Sequence, residues 1–122
     1  MQTETKEKFG WTFRSHLTEA RPSRILLLLH GWTGDENSMW TFTKNFSDYA
    51  ILSPRAPYPA LAERGGYSWR EIKPGTWGSP TLEERHLAAD SLVSLVDKWS
   101  ASVKIASSTF DVVGFSQGAA LA

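Results

Sequence analysis

The sequence contains no cysteine. Disulfides, thiolate zinc sites and cysteine nucleophiles are thereby excluded, and a reducing cytosol suits such a chain. An excess of either charge is missing too: 13 Lys and Arg stand against 13 Asp and Glu. With the basic residues dispersed, no electrostatic pull toward nucleic acid or an anionic membrane is expected. Long hydrophobic runs are also absent. The longest aliphatic stretch, Ile25 to Leu29, falls far short of the roughly 20 residues that span a bilayer. The N-terminal MQTETKEKFGW is polar and lacks the apolar segment of a secretory signal. The expectation is a soluble, cytoplasmic protein with no membrane span and no nucleic-acid partner.

Aromatic residues, by contrast, are plentiful: six Trp, six Phe and three Tyr. They can fill a core or line an apolar substrate pocket. Residues 11 to 17 alternate large apolar and polar side chains, the period of a half-buried strand, and Arg21, Pro22 and Ser23 follow as a turn. Ile25 to Leu29 is a continuous aliphatic run of the kind found in a strand covered on both faces. After a glycine-bearing loop, Asp35 is placed to cap a helix over about 36 to 47, with Met39, Trp40, Phe42 and Phe46 to one side. Tyr49 to Ser53 reads as another strand, stopped by Pro54. Residues 54 to 80 hold five of the six prolines and four of the nine glycines. They form an irregular stretch of a length usually reserved for function.

Thr81-Leu82-Glu83-Glu84 fits a capping box, opening a helix whose apolar stripe is Ala88, Leu92, Leu95, Val96, Trp99 and Val103. Phe110 to Val113 is a further buried strand, and Ala119 to Ala122 begin a helix. Strands alternating with helices predict an α/β fold with a mainly parallel sheet flanked by helices.

The chemistry-bearing motif is Gly114-Phe115-Ser116-Gln117-Gly118, of the form G-x-S-x-G. It follows an apolar strand and leads into an Ala-rich helix, the setting of a nucleophile elbow. Flanking glycines let the chain fold back sharply, so the turn lifts the Ser116 hydroxyl clear of the sheet. The backbone N–H of Gln117 is then one candidate oxyanion donor. A glycine-rich turn with an idle serine is the competing reading. His30-Gly31-Trp32 follows another buried strand, where such folds place the second oxyanion loop, and the N–H of Trp32 is the natural second donor. His30 has two readings, a catalytic base or a support that holds the loop through backbone hydrogen bonds; support is preferred because nothing near it in the sequence clearly supplies a partner to orient a base. His16 and His86 read as surface or half-buried residues.

These residues resemble the phospholipase/carboxylesterase family of α/β-hydrolases, which includes the acyl-protein thioesterases. Leu27 to Asp35 looks like its strand and oxyanion loop. Ser53-Pro54-Arg55-Ala56-Pro57 looks like its Pro-x-Ala-Pro stretch, and Gly65 to Trp69 is similar to part of its substrate loop. Gly114 to Ala122 matches its elbow. The resemblance implies a hydrolase of carboxylic esters or thioesters, with Ser116 as nucleophile and Trp32 and Gln117 as oxyanion hole. It further implies that His30 and Gly31 support that loop, that Tyr67, Trp69 and Trp77 line the substrate pocket, and that neither cofactor nor metal is needed.

The family's triad runs Ser, Asp, His in chain order, and only six residues follow Ser116. The expectation is therefore one partial domain over 1–122, with an elbow at 114–118 and a substrate loop at 54–80. It corresponds to the N-terminal half of the fold, truncated after the elbow and inactive alone. It would be completed by a C-terminal half, or would self-associate through an exposed sheet edge. The alternatives are a non-catalytic remnant or interaction module, or another α/β-hydrolase such as a peptidase or lactone hydrolase.

Overall fold

In a computed structural model, residues 4–17, 24–46, 48–60, 63, 65–72, 81–105 and 110–122 are described. The two aliphatic runs form strands β3 (Arg24–Leu29) and β4 (Tyr49–Pro54), paired in parallel with Leu26 opposite Ile51. Alternate side chains of a strand point to opposite faces. Ile25, Leu27, Leu29, Ala50 and Leu52 accordingly enter one core, with Phe13, Trp69, Leu92, Leu95, Val96 and Trp99. Leu26, Leu28 and Ile51 enter another, with Met39. Burial on both faces explains why these strands read as unbroken apolar runs.

Strand β2 (Trp11–His16) pairs antiparallel with β4, and β1 (Glu4–Lys8) pairs antiparallel with β2. Strand β7 (Phe110–Gly114) pairs in parallel with β3, giving the order β1-β2-β4-β3-β7. The expected parallel arrangement holds at β4-β3-β7; the antiparallel β1-β2 arm makes the sheet as a whole mixed. Strand β1 carried no periodic signal because all five residues are exposed. It is joined to β2 through Phe9 and Gly10, whose φ values of 59° and 80° suit a tight hairpin turn of matching twist. Strand β7 is half-buried along its length rather than fully buried, since among the described residues it lies at the sheet edge.

Helix α1 (Leu82–Val103) packs Leu92, Leu95, Val96 and Trp99 onto the first core. Its capping box is formed: the Glu84 N–H donates to Thr81 Oγ1 at 3.1 Å and the Thr81 N–H donates to Glu84 Oε1 at 2.9 Å. It ends at Lys104 in a left-handed conformation. The helix expected over 36 to 47 is replaced by turns and a short 3-10 helix, Trp40–Asn45. Asp35 caps only a local turn, accepting from the Asn37 N–H at 2.8 Å, while its own N–H donates to Ser38 Oγ at 2.9 Å. Phe42 accordingly stays 47% exposed instead of joining Met39 in the core.

The stretch expected to be wholly irregular contains a small hairpin, β5 (Tyr58–Pro59) with β6 (Tyr67–Ser68). The turn expected at Arg21 to Ser23 lies outside the described residues. No helix among the described residues is long and apolar enough to cross a membrane.

Candidate active site

The parallel register sets Leu29 opposite Gly114, so the loops leaving β3 and β7 emerge side by side at the carboxyl end of the sheet. In open α/β sheets this end is where ligands bind. The ladder runs one step further, with the Phe115 N–H donating to the Leu29 carbonyl at 3.1 Å. The chain then bends at Ser116, which is exposed, with φ 54° and ψ −114°. A non-glycine residue held in such a sparsely populated region costs on the order of 1–3 kcal/mol. Helix α2 (Gln117–Leu121) starts immediately afterward. A methyl group placed on Gly31 would lie 3.3 Å from Ser116 Cβ and 3.2 Å from the Phe115 carbonyl oxygen. The two loops therefore touch at Gly31 and Ser116.

Several bonds hold the loop after β3 in that place. His30 is fully buried. Its Nε2 accepts from the Ala56 N–H at 3.0 Å, and its Nδ1 lies 2.6 Å from the Gly31 carbonyl oxygen. An accepting Nε2 leaves the proton on Nδ1, so the ring is the neutral Nδ1–H tautomer. Burial pushes its pKa down, against the Gly31 carbonyl, which favours the cation. With both nitrogens engaged inside the protein, His30 cannot accept a proton from Ser116. Glu36, also buried, takes a two-pronged ion pair from Arg55 at 2.7 and 2.9 Å, and its carbonyl accepts from Ser53 Oγ at 2.9 Å. The Arg55 guanidinium holds the Glu36 carboxyl below the usual carboxylate range. Backbone bonds from Thr33 N–H to the Tyr67 carbonyl, 3.0 Å, and from Tyr67 N–H to the Gly34 carbonyl, 2.9 Å, add strand β6 to the assembly.

A strained serine between strand and helix, facing a braced loop from the neighbouring strand, accompanies a sequence that matches the phospholipase/carboxylesterase family model over residues 16–122. The chain belongs to the phospholipase/carboxylesterase family. Its fold is similar to that of a carboxylesterase from Mesorhizobium loti, with a TM-score of 0.74 at 18% identity over 98% of this chain and 55% of that one. It is similar to a Bacillus cereus carboxylesterase, also at 0.74, with 20% identity over 93% of this chain and 52% of that one. It also resembles an esterase named PE8, at 0.66, with 23% identity, 86% of this chain and 52% of that one. The chain thus spans about half the length of the structures it matches. No curated protein matches its sequence.

In this carboxylesterase-family chain, the three aromatics expected around a substrate pocket occupy different surroundings. Tyr67 is half-buried beneath the Arg55 guanidinium, 4.6 Å from its ring centroid. Trp69 is 2% exposed, beside the rings of Trp11 and His30, and its indole N–H donates to the His30 carbonyl at 2.7 Å. Through that bond it braces the loop from the core side. Trp77 lies outside the described residues. Gln117, valued in the sequence for its backbone, also works through its side chain: Oε1 accepts from the Trp69 N–H at 2.8 Å and Nε2 donates to Ser68 Oγ at 3.1 Å. His16 lies on β2 and is half-buried, and His86 is exposed on α1.

Sequence reasoning missed Glu36, Ser68 and the apolar residues beside the elbow on the Gly31 side, Met39, Phe42 and Phe115. Ser68 and Phe115 lie inside marked motifs, at positions to which those motifs assign no role, and nothing in the local pattern marks Glu36, Met39 or Phe42. Only the meeting of three loops does. No group of three or more His, Cys, Asp or Glu is placed to hold a metal ion among the described residues.

Proposed function

We propose that residues 1–122 are the front half of an α/β-hydrolase domain, with its elbow at 114–118 and its substrate loop within 54–80. Ser116 is its nucleophile toward carboxylic esters or thioesters. Ser116 Oγ attacks the carbonyl carbon and gives its proton to a base. The negative charge on the carbonyl oxygen is met by the backbone N–H groups of Trp32 and Gln117. Collapse of that intermediate expels the alcohol or thiol, and water then releases the acid from the acyl-serine. His30 and Gly31 hold the oxyanion loop, and Tyr67 shapes it from the neighbouring hairpin.

The single observation that carries this reading is the left-handed backbone of Ser116 at a strand-to-helix bend directly against Gly31. The base and its orienting carboxylate belong to a complementing segment, not to His30. Residues 1–122 tested alone therefore retain only oxyanion stabilisation and binding, about three to four powers of ten over water. The absence of cysteine and of any excess of basic residues in the sequence is in keeping with a cytoplasmic enzyme acting on small molecules.

A fluorophosphonate probe offered to the complete protein that contains these residues tests the assignment. Peptide mapping is expected to find phosphonylation at Ser116, abolished by Ser116→Ala. Modification at any other serine refutes it.

A further inference from the structure

Among the described residues, four other than glycine have a left-handed backbone, and three have an evident reason: Phe9 in a hairpin turn, Lys104 at a helix end and Ser116 at the elbow. The fourth is Thr33, at φ 74°. A β-branched residue in that region is a genuine outlier. Thr33 is the third residue of a turn closed by the Gly34 N–H on the Gly31 carbonyl at 3.0 Å, and Trp32 before it has no positive φ. That combination is a type II turn, whose third position calls for glycine. Its central peptide aims the Thr33 N–H at the Tyr67 carbonyl, 3.0 Å away. The Gly66 backbone lies against the Thr33 carbonyl so closely that no methyl group would fit between them.

A single peptide separates this turn from its type I form, in which the unit between Trp32 and Thr33 is turned over and Thr33 takes a φ of about −90°. Strain at Thr33 favours type I by about tenfold or more. The hydrogen bond to Tyr67 favours type II by up to about tenfold. The two forms are therefore close in free energy. The rest of the loop stays in place during the change. The Gly31 carbonyl is held by the Gly34 N–H and His30 Nδ1, so the Trp32 N–H, opposite it across a trans peptide, keeps its direction. The Trp32 indole N–H is tied to the Ala60 carbonyl at 3.2 Å. We propose that the Thr33 N–H is a further oxyanion donor, brought into play by this rotation. In the type I form the N–H groups of Trp32 and Thr33 point the same way, and successive N–H groups in such a turn form an anion-binding concavity. The negative charge that forms when Ser116 attacks draws the Thr33 N–H off Tyr67, and relief of the strain in the resting turn offsets the lost bond. The proposal rests on the reading of Ser116 as nucleophile and Trp32 as donor.

The test is the rate of fluorophosphonate labelling of the complete protein that contains these residues. Ser116 Oγ displaces fluoride from phosphorus, and the phosphonyl oxygen takes the place of the oxyanion. Thr33→Gly makes type II the preferred turn and should slow labelling about tenfold without lowering Tm. Thr33→Val, which keeps the branched side chain and lacks the hydroxyl, should rescue the rate. A crystal structure of the phosphonylated protein should show Thr33 at a φ of about −90°, with its N–H on the phosphonyl oxygen. Thr33 still left-handed and bonded to Tyr67 in that adduct overturns the proposal, as does labelling of Thr33→Gly at the parent rate. Equal slowing in Thr33→Gly and Thr33→Val also overturns it, because the hydroxyl is then the operative group. Failure of the parent itself to be labelled at Ser116 is a different result: it removes the nucleophile reading, and this proposal with it.

Discussion

Replacing His30 with Phe keeps a ring of similar breadth against Trp69 and removes both ring nitrogens. Of the two backbone partners, the Gly31 carbonyl still accepts from the Gly34 N–H at 3.0 Å. The Ala56 N–H, on a residue 1% exposed, loses its acceptor. An orphaned buried donor costs about 1–3 kcal/mol, and the lost Nδ1 bond adds about 1 kcal/mol. The sum, about 2–4 kcal/mol, is a large share of the roughly 5–15 kcal/mol that holds a domain folded.

Urea unfolding at pH 7.5 measures it. With a slope of about 2 kcal/mol per molar, the midpoint should fall by about 1–2 M. The same variant carries a pH signature. His30 is held neutral in the fold, its pKa pushed below the ordinary value by burial. Above about pH 6.5 folded and unfolded chains bind equal protons at this residue. Below it the unfolded chain gains a proton that the folded one refuses, so stability falls as the pH drops toward the lowered folded value. His30→Phe removes that contribution, and the gap between variant and parent should narrow over this window. Glu36, Glu84 and Asp111, whose pKa values are lowered by hydrogen bonds, act in a separate window. Their stabilisation is lost only as the pH falls below the ordinary carboxylate range. A variant within about 0.5 kcal/mol of the parent, or an unchanged slope between pH 6.5 and 5, refutes the tautomer and both bonds.

Gly118→Ala should be strongly destabilising, because its methyl group would lie 2.2 Å from the Leu29 carbonyl oxygen and 2.6 Å from that of His30. Overpacking of this kind costs about 1–3 kcal/mol or more, and thermal unfolding should show a Tm lower by at least about 5 °C. Gln117→Leu takes the acceptor from the Trp69 N–H and should cost about 1–3 kcal/mol. Hydrogen exchange at that amide should accelerate, and Gln117→Glu, which keeps the acceptor, should restore protection. Thr81→Ala breaks the capping box and should cost about 1 kcal/mol, read by urea denaturation, whereas Thr81→Ser should be nearly neutral.

Helix α1 was legible because capping and apolar spacing are local properties of consecutive residues, from Thr81 to Val103. Strands β3 and β4 were legible through the runs Ile25 to Leu29 and Ala50 to Leu52, apolar because those residues are covered on both faces. Strand β1 was not, since Glu4 to Lys8 face solvent and owe their conformation to pairing with β2. The helix expected after Asp35 was legible only in its cap: the side-chain bonds at Asp35 form, but the chain continues as turns and a short 3-10 helix, Trp40–Asn45. Around the elbow, the sequence marked Ser116, Gln117 and the His30-Gly31-Trp32 loop through motif and context.

What the sequence settled by itself was which residues could carry chemistry and which runs had to be strands. A strand-glycine-serine-glycine-helix order constrains the local backbone whatever surrounds it. The tertiary structure alone decided that Gly31 lies against Ser116, that Glu36 pairs with Arg55, and that Trp69 turns inward while Trp32, Phe42 and Phe115 face a common groove. Those contacts join residues well separated in the sequence, 19 positions apart for Glu36 and Arg55 and 39 for His30 and Trp69. They follow from strand order and register, which local patterns do not encode.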